Sequence, residues 1–465
     1  MTPTDGPIAR TGGPAAGAED PAGPAAADRP LGGRKLWVPQ MGHGASVAFA
    51  AAFRSAGIDA EVCPSSDART LELGSRLTSG EECLPARVTL GGFLKVTEQP
   101  GFDPDRTAFF MPSADGPCRF GQYAPYIGHV LRDLGLGQVS VFAPSSRDGY
   151  GAMGIETTSL MRTALRGLVA ADLLRKMLHR TRPYELQKGE TDAAYSRAVA
   201  AVERVLEQRG VPVDAQLAQL EAALTAARDD LRAVEVSRSE RRVFIGVVGE
   251  IFCRLATFAN ESTIRRIEEL GGECVLAPIV EWVWYTNLEH QKRLRQQGRR
   301  FSKAMLTAKI SDFIQRRDEH RLARVFEADL RGTEEPPIRK VLELSQPYLP
   351  HAGSLGEMTL SVGKAVYHYH QGCDAVVDIS PFSCMNGIVT EAVYPRVSAD
   401  LDEMPIRNFY FDGTRANLAR DLGVLMELAR SYQARKKIRR VIPDPLPRGR
   451  TTPGAGSRGV QAIED

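Results

Sequence analysis

The chain has 465 residues, with 59 Lys and Arg against 57 Asp and Glu, a formal charge of +2, 43% hydrophobic and 25% charged residues. At about 150 residues per domain this length makes two or three compact units; the composition is that of a folded globular protein, and the charge balance argues against a dedicated nucleic-acid binder. No apolar run is long enough to cross a bilayer, and no basic start followed by an apolar block opens the chain, so neither a membrane span nor a signal peptide is expected and the cytoplasm is the expected compartment.

Pro, Gly and Ala make up 21 of the first 33 residues, too few bulky apolar groups to offset chain entropy. Residues 1–33 therefore read as a disordered tail, as do residues 442–465 with their run PDPLPRGRTTPGAGSRG. A first lobe, residues 34–157, opens with the strand Lys35-LWVP, then Gly42-HG, a helical pattern from Val47 and a second strand at Asp59-AEVCP. The helix Gly80-EECLPARVTLGGFLKV, the strand Thr107-AFFMP, a turn around Cys118, a helix from Tyr123 to Asp133 and the strand Val139-SVFAPS complete it. Strand, glycine turn and helix in repetition are the pattern of βαβ units on a parallel sheet.

Residues 158–240 change period: Leu160, Ala164, Leu165, Leu168, Val169, Leu173 and Met177 recur at helical spacing, and two further helical sets follow, with Arg182-Pro183 as a break. This stretch reads as a helical connector. A second lobe, residues 241–441, resumes with Val243-FIGVVGE, a helix from Glu261 and the strand Glu273-CVLAP. A highly charged helical insert over residues 288–331 follows, then the helix from Gly356, the strand Asp374-AVVDISP, a turn around Cys384, a helix, the strand Ile406-RNFYFDG and a last helix from Arg415 to Lys437. The segments around Cys118 and Cys384 match as strand, proline, then cysteine and glycine before a helix, and Gly80-Glu81 aligns with Gly356-Glu357. The expected fold is α/β: two related Rossmann- or flavodoxin-like lobes with parallel sheets, joined by the connector.

Seven cysteines in a long cytosolic chain are no disulfide framework, and the absence of a C-x₂-C pair disfavours structural zinc. In open parallel sheets ligands bind beyond the carboxyl ends of the strands, which is where Cys118 and Cys384 fall. Cys83 stands at a helix start, a position that favours thiolate. Three such thiolates can hold an iron–sulfur cluster and leave one iron without a protein ligand. Cys63, Cys253, Cys274 and Cys373 lie in or beside strands in apolar company and read as core. Glu250, Arg254, Asn260 and Asn287 border the mouth expected for the second lobe, as candidates for support of the site or as plain helix caps. His368, His370 and Cys373 do not share a helix face and read as a helix end. The Gly42 turn has Val47 where a dinucleotide fingerprint has its third glycine, so it reads as an ordinary tight turn, with nucleotide binding the weaker option.

Pro39-QMGHGASVAFAAAFRSAGIDAEV, Ser79-GEECLPARVTLGGFLK, Met111-PSADGPCRFGQY, Val248-GEIFCRLATFANESTIRRIEELGGE and Pro381-FSCMNGIVTEA together resemble the acyl-CoA dehydratase activase-related proteins. These are similar to the 2-hydroxyacyl-CoA dehydratase D component and to double-cubane-cluster proteins, and the likeness runs from Leu36 to Lys437. The resemblance implies an oxygen-sensitive iron–sulfur protein, with a 4Fe-4S or double-cubane cluster held by Cys83, Cys118 and Cys384, that takes part in low-potential electron transfer. It also implies an acyl-CoA substrate and an ATP-dependent activator of actin-like fold; as no such ATPase domain precedes the matched region, the activator is expected to be a separate partner. Met358-Thr359 stands where the first lobe has Glu82-Cys83, so a fourth matched thiol is missing. A homodimer is left open, nucleic acid and membrane are not expected partners, and whether the chain is itself a dehydratase-like lyase or reductase component is open. The competing reading is a scaffold or regulatory module of the same fold that binds no cluster.

Overall fold

The computed structural model describes residues 31–114, 116–144, 157–239, 241–352, 356–414 and 417–441. The tails expected at 1–33 and 442–465 lie outside the described residues, apart from 31–33. In the first lobe β1 (Lys35–Val38), α1 (His43–Ser55), β2 (Ala60–Val62), α2 (Ala68–Arg76), α3 (Leu84–Thr97), β3 (Thr107–Phe110), α4 (Tyr123–Asp133) and β4 (Ser140–Phe142) follow in order. Three helices come next: α5 (Thr157–Thr181), α6 (Glu190–Leu206) and α7 (Val213–Ala233). The second lobe has β5 (Val243–Gly249), α8 (Ile251–Leu255), α9 (Thr263–Glu269), β6 (Gly272–Leu276), α10 (Val280–Gln296), α11 (Lys303–Arg324), α12 (Ile338–Ser345), α13 (Glu357–His370), β7 (Ala375–Pro381), α14 (Met385–Asp400), β8 (Ile406–Phe411) and α15 (Leu418–Arg435).

The strands form two four-stranded sheets, ordered β2-β1-β3-β4 and β6-β5-β7-β8, and every pairing is parallel. The fold is α/β with two lobes. Both orders read 2-1-3-4, the opening of the flavodoxin-like order, so each sheet has its switch point between its first and third strands. Val243–Gly249 and Ala375–Pro381 are buried at every position, as continuous apolar strands covered on both faces should be.

The likeness of the lobes goes further than the sequence suggests. Each places a short helix against the helix that leads into the third strand, α2 on α3 and α12 on α13, and at each crossing a glycine lets backbone meet backbone. A Cβ on Gly91 would stand 1.8 Å from the Thr70 carbonyl oxygen, one on Gly74 2.0 Å from that of Arg87, and one on Gly363 2.0 Å from that of Val341. Neither α2 nor α12 was expected. The start of α2 is nevertheless written in the sequence as a capping box: the Asp67 carboxylate accepts from the Thr70 amide at 3.0 Å, and the Thr70 hydroxyl accepts from the Asp67 amide at 3.1 Å.

The charged insert is two helices rather than one, and it begins earlier than residue 288. Val280, Trp284 and Tyr285 are buried in the largest apolar cluster and start α10 there, and Gly298, at φ 72°, turns the chain between α10 and α11. The α10–α11 pair is tied by the Trp284 indole, which donates to Glu319 at 2.9 Å. Burial pushes the Glu319 carboxyl up to about 7.

Two predictions come from this packing. Gly91→Ala and Gly363→Ala, which push helices apart, should each lower stability by about 1–3 kcal/mol. Gly92→Ala, whose Cβ would meet nothing within 4 Å, should be neutral or gain up to about 1 kcal/mol; urea melts distinguish them. For Glu319 the folded state holds a proton that the unfolded chain releases, so its contribution to stability falls as pH rises from the ordinary carboxyl range through about 7. Glu319→Gln keeps the acceptor and should flatten that fall, gaining about 1–2 kcal/mol at pH 8 and almost nothing at pH 4, read from melts at the two pH values.

Candidate functional site

The three cysteines singled out from the sequence share one local geometry. Each is the last extended residue before a helical start: Cys83 caps α3 (φ −65°, ψ 155°), Cys118 caps the short 3-10 turn Arg119–Gln122 that leads into α4 (φ −69°, ψ 134°), and Cys384 caps α14 (φ −73°, ψ 130°). No side-chain capping bond closes on any of them, so the sulfurs remain beside helix-start amides that lack an intrahelical partner. Cys118 follows β3 and Cys384 follows β7, equivalent strands at the two switch points. Ser383 supplies the sharp approach to Cys384 with a left-handed backbone, φ 62°.

The two lobes meet through loops at the carboxyl ends of their sheets. Arg87 on α3 donates to the Asp412 carbonyl just past β8. Gly413 lies against Leu71 and Leu84, and Gly42 against Leu255. Leu84 and Val88 belong to the same apolar cluster as Phe252, Cys253 and Phe411.

At this junction stand two carboxylates. Glu250 follows β5 and caps α8, accepting from the amides of Phe252 at 3.0 Å and Cys253 at 2.8 Å. Glu357 opens α13 and accepts from the Ile251 amide at 2.9 Å. Thus two acids hold adjacent amides of a single helix start. Where the first lobe offers the thiol of Cys83 at the head of the helix preceding its third strand, the second lobe offers the carboxyl of Glu357.

Electrostatics tie the set together. Glu250 acts on all three thiols, Glu357 acts on Cys118 and Cys384, and Cys83 acts on Cys118. Burial raises the Cys83 thiol, against the bond from Tyr123, whose hydroxyl lies 2.7 Å from its sulfur. Cys118 is an exposed residue, yet the walls around its sulfur remove enough water to raise it, and the two carboxylates add to this. Burial and then Glu250 push Cys384 up to about 12. Burial also raises Glu250, and burial followed by repulsion from Glu250 pushes Glu357 up to about 8. The opposing charge on both carboxyls is Arg254, which is buried and donates to the carbonyls of Gly249 at 2.8 Å and Pro278 at 3.3 Å. Among the described residues its Nε has no hydrogen-bond partner.

A fourth thiol belongs to the same neighbourhood. Cys253, expected to be simple core, is buried on α8 and feels Glu250, Cys384 and Cys83. Sequence spacing gave no sign of this, because Cys253 is surrounded by apolar neighbours and approaches the others only through the fold. Cys63 and Cys373 are plain core: Cys63 packs with Trp37 and Phe109, and Cys373 with Phe244 and Val275.

Other candidates are used for packing. Asn260 donates to the Cys253 carbonyl at 2.7 Å and accepts from the Thr263 amide at 3.2 Å, a local brace. Asn287 donates to Gln315 at 2.8 Å, between α10 and α11. His368 is buried with its Nδ1 3.0 Å from Gln371. At the Gly42 turn a Cβ on Gly42 would stand 3.3 Å from Arg175 and one on Gly44 2.9 Å from the Tyr195 hydroxyl, so both glycines let α1 pack closely. A cavity of about 530 Å³ lies elsewhere, at the free edge of β8 between α14 and α15, and no cysteine lines it.

Chemically, the junction gathers thiols and carboxyls that burial raises above their ordinary values. Among the described residues no three His, Cys, Asp or Glu side chains converge on a point that could hold a metal ion. That geometry is unlike a mononuclear zinc or iron centre, where all ligands meet at one atom. Thiols at helix starts are the donor type an iron–sulfur cluster takes, its thiolates binding separate irons. No protein-family model matches this chain, and no curated protein matches it.

Proposed function

We propose that the chain is an iron–sulfur component of the 2-hydroxyacyl-CoA dehydratase and activase type, receiving low-potential electrons from a separate ATP-driven activator. The observation that supports this reading best is the placement of Cys83, Cys118 and Cys384 at three helix starts that all border Glu250, where the carboxyl ends of the two sheets meet. When bound there, a cluster supplies one-electron chemistry at strongly negative potential, of the kind needed to remove a hydroxyl from an acyl thioester whose β-hydrogen is not activated.

Its ligands in this reading are Cys83, Cys118 and Cys384, deprotonated by iron despite their raised thiol values, since a bound cation inverts the local preference for the neutral form. The Tyr123 hydroxyl orients the Cys83 sulfur and donates to it. The Glu357 carboxyl, neutral at pH 7, holds a proton beside the thiols. Arg254 limits the negative charge at the head of α8. The thioester, a homodimeric form and catalysis by the chain itself belong to the same proposal.

Anaerobically prepared protein should carry bound iron and sulfide with a broad blue-end absorbance that air bleaches. Cys118→Ala should remove most of the iron, whereas Cys63→Ala should leave it unchanged. Anaerobic protein without iron would reject the reading in favour of a cluster-free scaffold. In the loaded protein Tyr123→Phe should make the midpoint potential more negative, because a donor to sulfur stabilises the added electron; a redox titration followed by electron paramagnetic resonance gives the shift, and no shift would remove Tyr123 from the site.

A further inference from the structure

Between Lys292 and Ser311 the sequence has seven Lys and Arg and no Asp or Glu. This stretch closes α10, turns at Gly298 and opens α11. Lys292 pairs with Glu289 at 3.3 Å, but Arg293, Arg295, Arg299, Arg300, Lys303 and Lys309 are exposed and make no ion pair among the described residues.

The same stretch, with the next turn of α11, exposes four large apolar side chains: Phe301 at 94%, Leu306 at 60%, Ile310 at 51% and Phe313 at 69%. At 3.6 residues per turn, Leu306, Ile310 and Phe313 form one stripe, bordered by Lys303, Lys309 and Arg317. The opposite side of α11 is fully engaged. Met305 and Leu322 are buried, and Asp318 pairs with Arg162 and Arg166. The stripe is therefore held outward by a helix that cannot rotate to hide it. Contiguous exposed apolar groups of this kind mark an interaction surface.

Charge decides what covers it. A second copy using the same face would bring two sets of unpaired cations together, since a twofold contact matches a patch with itself. A nucleic acid would use the cations and gain nothing from Leu306 and Ile310. A segment with apolar groups between carboxylates satisfies both features at once. We propose that the outer face of α11 docks an acidic amphipathic helix of another protein. From Leu306 to Phe313 the stripe runs about 11 Å at 1.5 Å per residue, a length that three helical turns cover. This inference is independent of the iron–sulfur reading.

The test uses the full chain and a labelled amphipathic helical peptide with Leu at a and d and Glu at e and g, alongside a twin with Lys in place of Glu, by fluorescence anisotropy. The Glu peptide should bind, at least ~10-fold more tightly than the twin, and weaken as salt rises. Leu306→Asp with Phe313→Asp should lose at least ~10-fold in affinity. Lys303→Glu with Lys309→Glu should weaken the Glu peptide and strengthen the Lys twin. Failure of the Glu peptide to bind, equal binding of the two peptides, or unchanged affinity in either double variant overturns the proposal. Sedimentation of the chain with phosphatidylserine vesicles that the Leu306→Asp, Phe313→Asp variant loses overturns it in favour of a lipid surface. A dimer in sedimentation velocity that the same variant converts to monomer overturns it in favour of a second copy.

Discussion

The placement of both lobes depends on the burial of α5 on all sides. Its 25 residues feed three separate apolar clusters. Leu160 and Ala164 pack with the first sheet, Leu168 and Ala171 with the second, and Leu165, Val169, Leu174 and Met177 with α6, α7 and the α10–α12 layer. A helix apolar around its whole circumference has to be core. Several of its polar residues, and Arg182 just past its end, are bound in turn to different layers. Arg166, 1% exposed, meets the equally buried Asp318 of α11; Asp172 accepts from the Val280 amide at 3.0 Å; His179 and Arg182 hold Glu268; and Lys176 meets Glu335. Buried pairs of this kind add little net stability, but removing one partner costs about 3–5 kcal/mol by stranding the other. Their effect is to fix rotation: sliding or turning α5 would separate these pairs. Both lobes pack on it.

How much of this was legible in the sequence follows from the range of the signal. The strands Val243–Gly249 and Ala375–Pro381 are apolar runs between turns, and their burial on both faces follows from local composition alone. The helix over Tyr123–Asp133 is bounded as its periodicity predicts. Short helices escaped: α8 has five residues and α12 eight, too few turns for a period to stand out. The insert was legible as charged helix, but not as two helices, since one glycine at position 298 carries the break. At the site, Cys118 and Cys384 were legible because glycine and proline punctuate their turns in the same way. The approach of Cys253 to them, and the meeting of Glu250 with Glu357, depend on contacts between segments about 100 residues apart, to which no local pattern refers.

The same distinction explains why the two lobes, alike in strand order and in their glycine crossings, are unlike at the junction. Backbone topology is preserved by packing: Gly91 and Gly363 each remove a Cβ that would otherwise collide with a carbonyl. The side chains at the helix heads face no such demand. The head of α3 can therefore carry the thiol of Cys83 and the head of α13 the carboxyl of Glu357, with the scaffold unchanged.

What makes such a concentration of acids tolerable is the direction of the helices around it. α3, α8, α13, α14 and the 3-10 turn after Cys118 all begin at this junction, so their first amides and the positive ends of their dipoles point inward. Cys83, Glu250, Glu357, Cys384 and Cys118 stand at these five starts. The dipoles and Arg254 do not offset the loss of water, since burial raises every thiol and both carboxyls above their ordinary values. Parallel sheets place helix starts at the carboxyl ends of their strands, and facing two such ends produces this field from topology alone; the chain's own contribution is to have put sulfur and carboxyl groups where the field converges.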